Sequence, residues 1–240
     1  MTEKKQWKLN ADVGEGCQDQ LIMPYLDCAN IACGAHAGDI DVMQQTLALA
    51  RDNQVIVGAH PGYPDKENFG RHSLAMSAEE LAQTLRDQIL LLIHLAREQK
   101  IQVVYVKPHG ALNHDMLQKP DIFALICQQV ADIDKNLVLM VPTNAQHVQQ
   151  EYMAAQYGLS IWWEVFADRA YEPNGLLRSR QFSDALYSDP QQIVEQLNLI
   201  QEQEKIMAID GTPLEVSLAQ TVCVHGDNAS SIAAVQIWKN

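Results

Sequence analysis

The sequence predicts an α/β fold in which parallel strands alternate with helices around a closed, TIM-barrel-like β/α barrel. Short apolar runs typical of buried parallel strands recur seven times along the 240 residues, and helical segments separate them. Each run ends in a cluster of polar residues, and the length fits one such barrel. We therefore expect a single domain over residues 1–240, with its active site at the carboxyl ends of the strands.

The seven strand-like runs are recognised by their polar endings. In chain order these endings are Leu9–Asp12, Ala32–His36, Val57–His60, Val106–His109, Met140–Asn144, Val165–Arg169 and Cys223–Asp227. Side chains at the carboxyl ends of barrel strands converge on one face. Residues that are far apart in the sequence are therefore expected to share one site.

Helix-start signals lie between the strand-like runs. We expect helices at five caps or first-turn prolines, namely Asp39, Ser77 (with Glu80 in a capping box), Pro120, Asn144 and Pro190. A last helix follows Asn228. The alternation breaks between Lys205 and Ser217, where Asp210-Gly211 predicts an inserted β-hairpin. The loops at 61–76 and 167–182 are long, which is typical of binding loops or lids.

Composition and charge exclude several classes of protein. The net charge is −13, from 30 acidic and 17 basic side chains, which repels nucleic acid and anionic membranes. The longest apolar stretch, at 89–96, is too short to span a bilayer. Five cysteines without a CxxC pair argue against a disulfide framework. We expect a cytoplasmic protein with no nucleic-acid or membrane partner.

Asp12, His36 and His60 end three successive runs, which puts a carboxylate and two imidazoles on one arc of the predicted rim. Such groups suit a divalent cation with open positions, or proton transfer. The alternative is hydrogen bonding to neighbouring loops, because no local ligand pair such as HExxH supports a metal. Asn10 and Glu15 flank Asp12 and either join its site or anchor the loop.

Lys107 and His109 end the fourth run, two residues apart and pointing the same way along a strand. A lysine that enters a barrel mouth costs desolvation unless it meets an anion, such as a substrate carboxylate or phosphate. The alternative is an internal ion pair of Lys107 with Asp12 or Glu164. We predict a catalytic role for both residues of the fourth run.

The sixth run supplies Glu164, Asp168 and Arg169. Apolar neighbours would raise the pKa of Glu164 and make it a candidate acid or base. Arg169, and Arg71 in the loop at 61–76, could each clamp a carboxylate or phosphate. The alternative for Arg169 is an ion pair with Asp168, which is itself a catalytic candidate.

The seventh run ends in His225-Gly226-Asp227. We predict that His225 is catalytic and that Asp227 caps the last helix, with substrate binding as its other role. The sequence has no GxxxxGK[ST] phosphate loop, no complete dinucleotide fingerprint and no GxSxG elbow. A nucleotide would therefore be held by rim residues or by another subunit.

Several of these motifs together resemble the LamB/YcsF family. The matching segments lie at 9–16, 29–39, 58–61, 68–71, 106–112, 164–169 and 223–227. The resemblance implies a seven-stranded variant of the β/α barrel, of the glycoside hydrolase/deacetylase type. It also implies one subunit of a bacterial hydrolase that uses ATP, with magnesium, to open the cyclic amide 5-oxoproline together with two further subunits.

The reaction implied by the resemblance needs a base and anion-holding groups. Glu164 or His109 would direct water at the activated carbonyl carbon, while Lys107 and Arg169 hold anionic groups. Two alternatives stay open. One is a stand-alone metal-dependent amidase or deacetylase that uses the carboxylate and two imidazoles of the first three runs. The other is a non-catalytic component that binds a small acid.

Overall fold

A closed barrel of parallel strands forms the centre of the protein, whose computed structural model describes residues 6–239. The strands of this part are β1 (Lys8–Val13), β2 (Cys28–Ala32), β3 (Ile56–His60), β4 (Val103–Val106), β5 (Val138–Pro142), β6 (Ser160–Phe166), β7 (Lys205–Met207), β8 (Pro213–Glu215) and β9 (Thr221–His225). Strands β1 to β6 follow one another around the barrel, and β9 closes it by pairing with β6 and β1. The predicted seven-stranded β/α barrel is confirmed.

The predicted hairpin between 205 and 217 is also confirmed. Strands β7 and β8 pair antiparallel and stand outside the barrel, with Ile206 opposite Leu214. Pro213 starts the second arm, where the missing N–H does not interrupt a ladder of several strands.

Helices cover the outside of the barrel, and most begin where the sequence predicts. They are α1 (Asp19–Ile22), α2 (Ile40–Asp52), α3 (Ala78–Glu98), α4 (Gly110–Gln118), α5 (Pro120–Ile133), α6 (His147–Gln156), α7 (Pro190–Gln203) and α8 (Ala229–Lys239). Asp39 caps α2, and Ser77 with Glu80 forms the predicted capping box of α3. None of these helices combines the length and apolar composition needed to cross a lipid bilayer.

The prediction that Asn144 caps a helix is wrong. The α6 helix begins at His147, and Gln146 occupies its N-cap position. Asn144 instead forms a turn, because its side chain accepts a hydrogen bond from the Gln146 N–H and donates one to the Pro142 carbonyl. Asparagine stabilises such local turns as readily as it caps helices.

The barrel strands present different chemistry to their two faces. Leu9, Ala11 and Val13 of β1 belong to the apolar core that includes the surrounding helices. The alternate residues Asn10 and Asp12 contact polar side chains of other barrel strands instead. Successive strand residues point to opposite faces, so the barrel interior is a polar layer that leads to the carboxyl ends.

Candidate active site

The polar interior of the barrel centres on Lys107, which is 1% exposed. Its Nζ lies 2.9 Å from Asp12 Oδ1 and 2.9 Å from Glu164 Oε1, and it donates to Cys223 Sγ at 3.2 Å. The ion-pair alternative for Lys107 is therefore what the structure shows. Because both neighbouring carboxylates already neutralise it, Lys107 is not open to a substrate anion in this structure.

Burial and charge together set the ionisation of Lys107, Asp12 and Glu164, which we call the central triad. Burial disfavours the lysine cation, but Asp12 and Glu164 hold the pKa of Lys107 well above its usual range. Burial also opposes ionisation of Asp12, yet His60 and Lys107 keep the pKa of that carboxyl well below its ordinary value. For Glu164 burial prevails over the attraction of Lys107, so its pKa is raised as predicted. Glu164 is completely buried, and its role as a base stays a prediction.

Asn10 and Asn30 extend the polar layer into the barrel. The Asn30 amide donates to Asn10 Oδ1 at 2.8 Å and to Asp12 Oδ1 at 2.7 Å, and the Tyr105 hydroxyl donates to Asn30 Oδ1. A Cβ at position 58 would overlap the Tyr105 ring, so the glycine there makes room for this hydroxyl. Asn10 therefore belongs to the polar interior, where its side-chain oxygen accepts from Asn30 and, at 3.4 Å, from Lys107 Nζ.

A cluster of three histidines and one glutamate adjoins Asp12. His36 Nε2 lies 2.9 Å and His109 Nδ1 lies 3.2 Å from Glu15 Oε1, and the facing ring nitrogens of His60 and His109 are 2.9 Å apart. His60 Nε2 is also 3.4 Å from Asp12 Oδ2. We call Glu15, His36, His60 and His109 the histidine cluster. Its four donor atoms lie within 4.8 Å of one another, which is compatible with a metal site.

The ionisation of the cluster follows from burial and from these contacts. Burial lowers the pKa of His36 to about 4, so this ring is neutral at pH 7. Burial also opposes the charge on Glu15, but its contacts with the rings of His109 and His36 lower its pKa to about 2. Burial likewise opposes protonation of His60, but the negative charge of Asp12 outweighs this effect and raises the pKa of His60.

The long loop at 61–76 covers the histidine cluster. The Phe69 ring makes edge contacts with His36 and His109, and the Phe69 carbonyl accepts from His109 Nε2 at 2.9 Å. A Cβ added at Gly62 or Gly70 would come within 2.8 Å of His36. The two glycines therefore allow the loop backbone to lie directly on the imidazoles.

Across the barrel, Asp168 and His225 form a buried acid–imidazole pair. His225 Nδ1 lies 3.0 Å from both carboxylate oxygens of Asp168, which also accepts from the His225 N–H and the Ser231 hydroxyl. Burial opposes this charge, but His225 and these donors lower the pKa of Asp168 to about 2. The arrangement leaves His225 Nε2 as the acceptor of the ring, which is the geometry of a general base held by a carboxylate.

Two arginines accompany His225. Arg169 donates to the Ala185 and Arg178 carbonyls, and Arg180 donates to His225 Nε2 at 3.0 Å. Neither guanidinium has a carboxylate within ion-pair distance in residues 6–239, so the Asp168–Arg169 pair does not form. Burial and the nearby Arg180 charge lower the pKa of Arg169 to about 10. We call Asp168, Arg169, Arg180 and His225 the arginine side.

Arg71 and Asp227 meet at the surface between these two groups. Arg71 Nη2 lies 3.6 Å from Asp227 Oδ2, and both side chains are more than a third exposed. The prediction that Asp227 caps the last helix is wrong. Asn228 performs that role, since its side chain accepts from the Ser230 N–H and its backbone carbonyl from the Ile232 N–H.

The predicted site residues thus fall into the central triad of Asp12, Lys107 and Glu164 with Asn10 beside it, the histidine cluster, the arginine side and one surface pair. Sequence reasoning missed Asn30, Tyr105, Ser231 and Arg180, which complete these networks. Tyr105 lies two residues before Lys107, and Asn30 lies two residues before Ala32, where the polar ending of the second run begins. Side chains two positions apart on a strand point to the same face, so this periodicity could have identified both residues. No local signal marks Arg180 within its loop.

Fold and site together define a β/α-barrel enzyme whose titratable groups are gathered at the carboxyl ends of the strands. The chain belongs to the LamB/YcsF family, whose model matches residues 7–240. The resemblance found in the sequence motifs is therefore confirmed.

Known relatives are similar over nearly their whole length. The 5-oxoprolinase A subunit of Pseudomonas fluorescens is 45% identical, over 95% of this chain and 93% of its own. The protein of the same name from Vibrio cholerae is 38% identical, over 97% and 96%. Among solved structures, the lactam utilization protein of Thermus thermophilus has a TM-score of 0.88 and 32% identity, over 96% and 94% of the two chains.

Proposed function

We propose that this protein is one component of an ATP-dependent 5-oxoprolinase, which hydrolyses 5-oxo-L-proline to L-glutamate. The names of its relatives and of the Thermus structure support a cyclic amide as the substrate. We propose further that it works with two other subunits in the cytoplasm. The five cysteines are all unpaired, which agrees with a reducing compartment.

The arginine side carries this proposal. 5-Oxoproline has one carboxylate and one lactam, and Arg169 and Arg180 are cations without a carboxylate partner among the described residues. They suit the substrate carboxylate or a phosphate group. His225, held by Asp168, is the base that accepts a proton from the attacking water. The ring C–N bond then breaks, and the nitrogen leaves as the amine of glutamate.

ATP enters the proposal through the chemistry of the amide. A five-membered lactam is stable, and transfer of the γ-phosphoryl group of ATP to its oxygen, with magnesium as counter-ion, would release ADP and activate the carbon toward water. Opening of the ring then leaves an acyl phosphate on the glutamate side chain, and a second water hydrolyses it to the carboxylate and inorganic phosphate. This chain has no GxxxxGK[ST] loop to bind the nucleotide phosphates. We therefore assign nucleotide binding to the partner subunits and the hydrolytic step to this chain.

A coupled assay of glutamate release tests the proposal. The chain alone should release little glutamate from 5-oxoproline, and turnover should require ATP together with both partners. His225→Gln should lower that turnover about 100-fold or more, because it removes the base. Binding of 5-oxoproline without turnover in the full mixture would show a non-catalytic binding component instead.

A stand-alone metal-dependent amidase is the second candidate function, and the histidine cluster favours it. The same assay separates the two candidates. The ATP-dependent assignment would be contradicted if the isolated chain opened 5-oxoproline efficiently without ATP and lost this activity when a chelator removed its metal.

A further inference from the structure

We propose that Glu15, His60 and His109 bind one zinc-type divalent cation, with His36 as a support of the glutamate rather than a ligand. The inference goes beyond the proposed function, because it concerns metal binding by the isolated chain. It also changes the ligand set suggested by the sequence, in which Asp12, His36 and His60 were the candidates.

The tautomers of two histidines are fixed by backbone carbonyls, which can only accept hydrogen bonds. His60 Nδ1 lies 2.6 Å from the Lys107 carbonyl, and His109 Nε2 lies 2.9 Å from the Phe69 carbonyl. Each of these nitrogens therefore carries the hydrogen. When both rings are neutral, as metal binding requires, the lone pairs of His60 Nε2 and His109 Nδ1 face each other across 2.9 Å.

A third electron-pair donor faces the same point. Glu15 Oε1 lies 3.2 Å from His109 Nδ1 and 3.8 Å from His60 Nε2. Three donor atoms that converge in a buried place repel one another unless a cation lies between them. A single proton can bridge only one pair of these atoms, whereas a metal ion engages all three.

The spacing of the three donors fits zinc. Donor atoms about 2.05 Å from a tetrahedral zinc ion are roughly 3.3 Å apart. The observed separations of 2.9, 3.2 and 3.8 Å lie on both sides of that value. A point about 2 Å from all three atoms therefore exists. Two histidines and a glutamate with a fourth position open are a set typical of catalytic zinc.

Outer contacts hold each of the three ligands in place. The carbonyls of Lys107 and Phe69 orient the two ligand imidazoles, and His36 Nε2 donates to Glu15 at 2.9 Å. His36 itself stacks on His109, with ring centroids 3.8 Å apart and planes 6° from parallel. An ion in the plane of one stacked ring lies outside the plane of the other. His36 is therefore a positioning residue for Glu15.

Metal titration of the purified chain tests the site. After removal of bound metal with a chelator, the protein should bind one equivalent of Zn²⁺ with a Kd below about 1 µM at neutral pH. It should also bind one equivalent of Co²⁺ with the visible spectrum of a four- or five-coordinate site. Weaker zinc binding, or a hexaaquo-like cobalt spectrum, would overturn the proposal.

Matched variants locate the ion. Glu15→Gln, His60→Gln and His109→Gln should each weaken zinc binding at least about 100-fold, and His36→Asn about 10-fold, as expected for an outer contact. Cys17→Ser and His94→Gln change exposed potential ligands and should bind as the wild type does. Circular dichroism of the metal-free variants confirms folding. Unchanged affinity in the three ligand variants, or loss in either control, would contradict the assignment.

Discussion

The histidine cluster and the arginine side stand at opposite parts of the same rim, and they are built differently. The first is carried by strand ends and the loops after β1 to β4, with its three imidazoles buried under backbone. The second depends on the loop at 167–189, and Arg180 is exposed. Rigid, closed surroundings suit a permanent small ion, whereas a loop whose cations have no carboxylate partner among the described residues suits a substrate that must enter and leave.

Lys107 lies between the two regions, and its loss should have the largest effect. Lys107→Met should lower the free energy of unfolding by about 3–5 kcal/mol, because Asp12 and Glu164 would face each other without a cation. Urea-induced unfolding measures the change. The double variant with Glu164→Gln should recover part of the loss. Wild-type stability of the single variant would show that the triad is not a unit.

The pH dependence of stability tests whether the charge of Asp168 stabilises the arginine side. Its pKa is about 2 in the folded protein against an ordinary value of 3.8, so ionised Asp168 stabilises the fold above pH 4. Asp168→Asn should cost about 2 kcal/mol at pH 7, and this difference from wild type should shrink as the pH falls from about 4 toward 2. Urea unfolding at several pH values measures it. A pH-independent difference would contradict the charge argument.

The same variant also sharpens the comparison of the two regions. Asp168→Asn should leave zinc affinity unchanged, because Asp168 contacts none of the proposed ligands. A zinc affinity that falls about 10-fold or more would show that the two regions are coupled.

Arg180 tests whether the exposed loop binds the substrate. Arg180→Ala should raise KM for 5-oxoproline about 10-fold in the complete enzyme, with little change in kcat, because a carboxylate contact is equally strong before and during reaction. Arg180→Lys should have a KM between those of the wild type and Arg180→Ala, because lysine keeps the positive charge but lacks the planar guanidinium. A fall in kcat with unchanged KM would assign Arg180 to the His225 base instead.

Arg71 should show the smallest effect on stability. Its ion pair with Asp227 is exposed and 3.6 Å long, so Arg71→Ala should change the free energy of unfolding by less than about 1 kcal/mol. This pair connects the loop over the histidine cluster with the end of β9. If turnover nevertheless falls more than about 10-fold, Arg71 binds substrate, as its sequence position predicts.

The fold could be predicted from the sequence because its signals are local. Short apolar runs and caps such as Asp39 and Ser77 depend on neighbouring residues only, and these two caps are found where expected. The error at Asn144 has a local cause as well. An asparagine before a helix can close a turn or cap the helix, and the sequence does not distinguish these uses.

The site could be predicted only as a set of residues near one rim. The sequence places His36 beside Asp12, but the position of its ring depends on Gly62 and Gly70, which belong to a distant loop. Arg180 reaches His225 across 45 positions of the chain. Such contacts are fixed by tertiary packing, and the periodicity of apolar residues in the sequence does not predict them.

Closure of the barrel by its last strand has a consequence for synthesis on the ribosome. Strand β1 pairs with β2 early, but its other edge stays unpaired until β9 has emerged, and β6 waits for the same strand. An open sheet with two free edges is prone to pair with other chains. The nascent protein therefore passes through a vulnerable interval, whose length is set by how fast residues 221–225 are delivered and inserted.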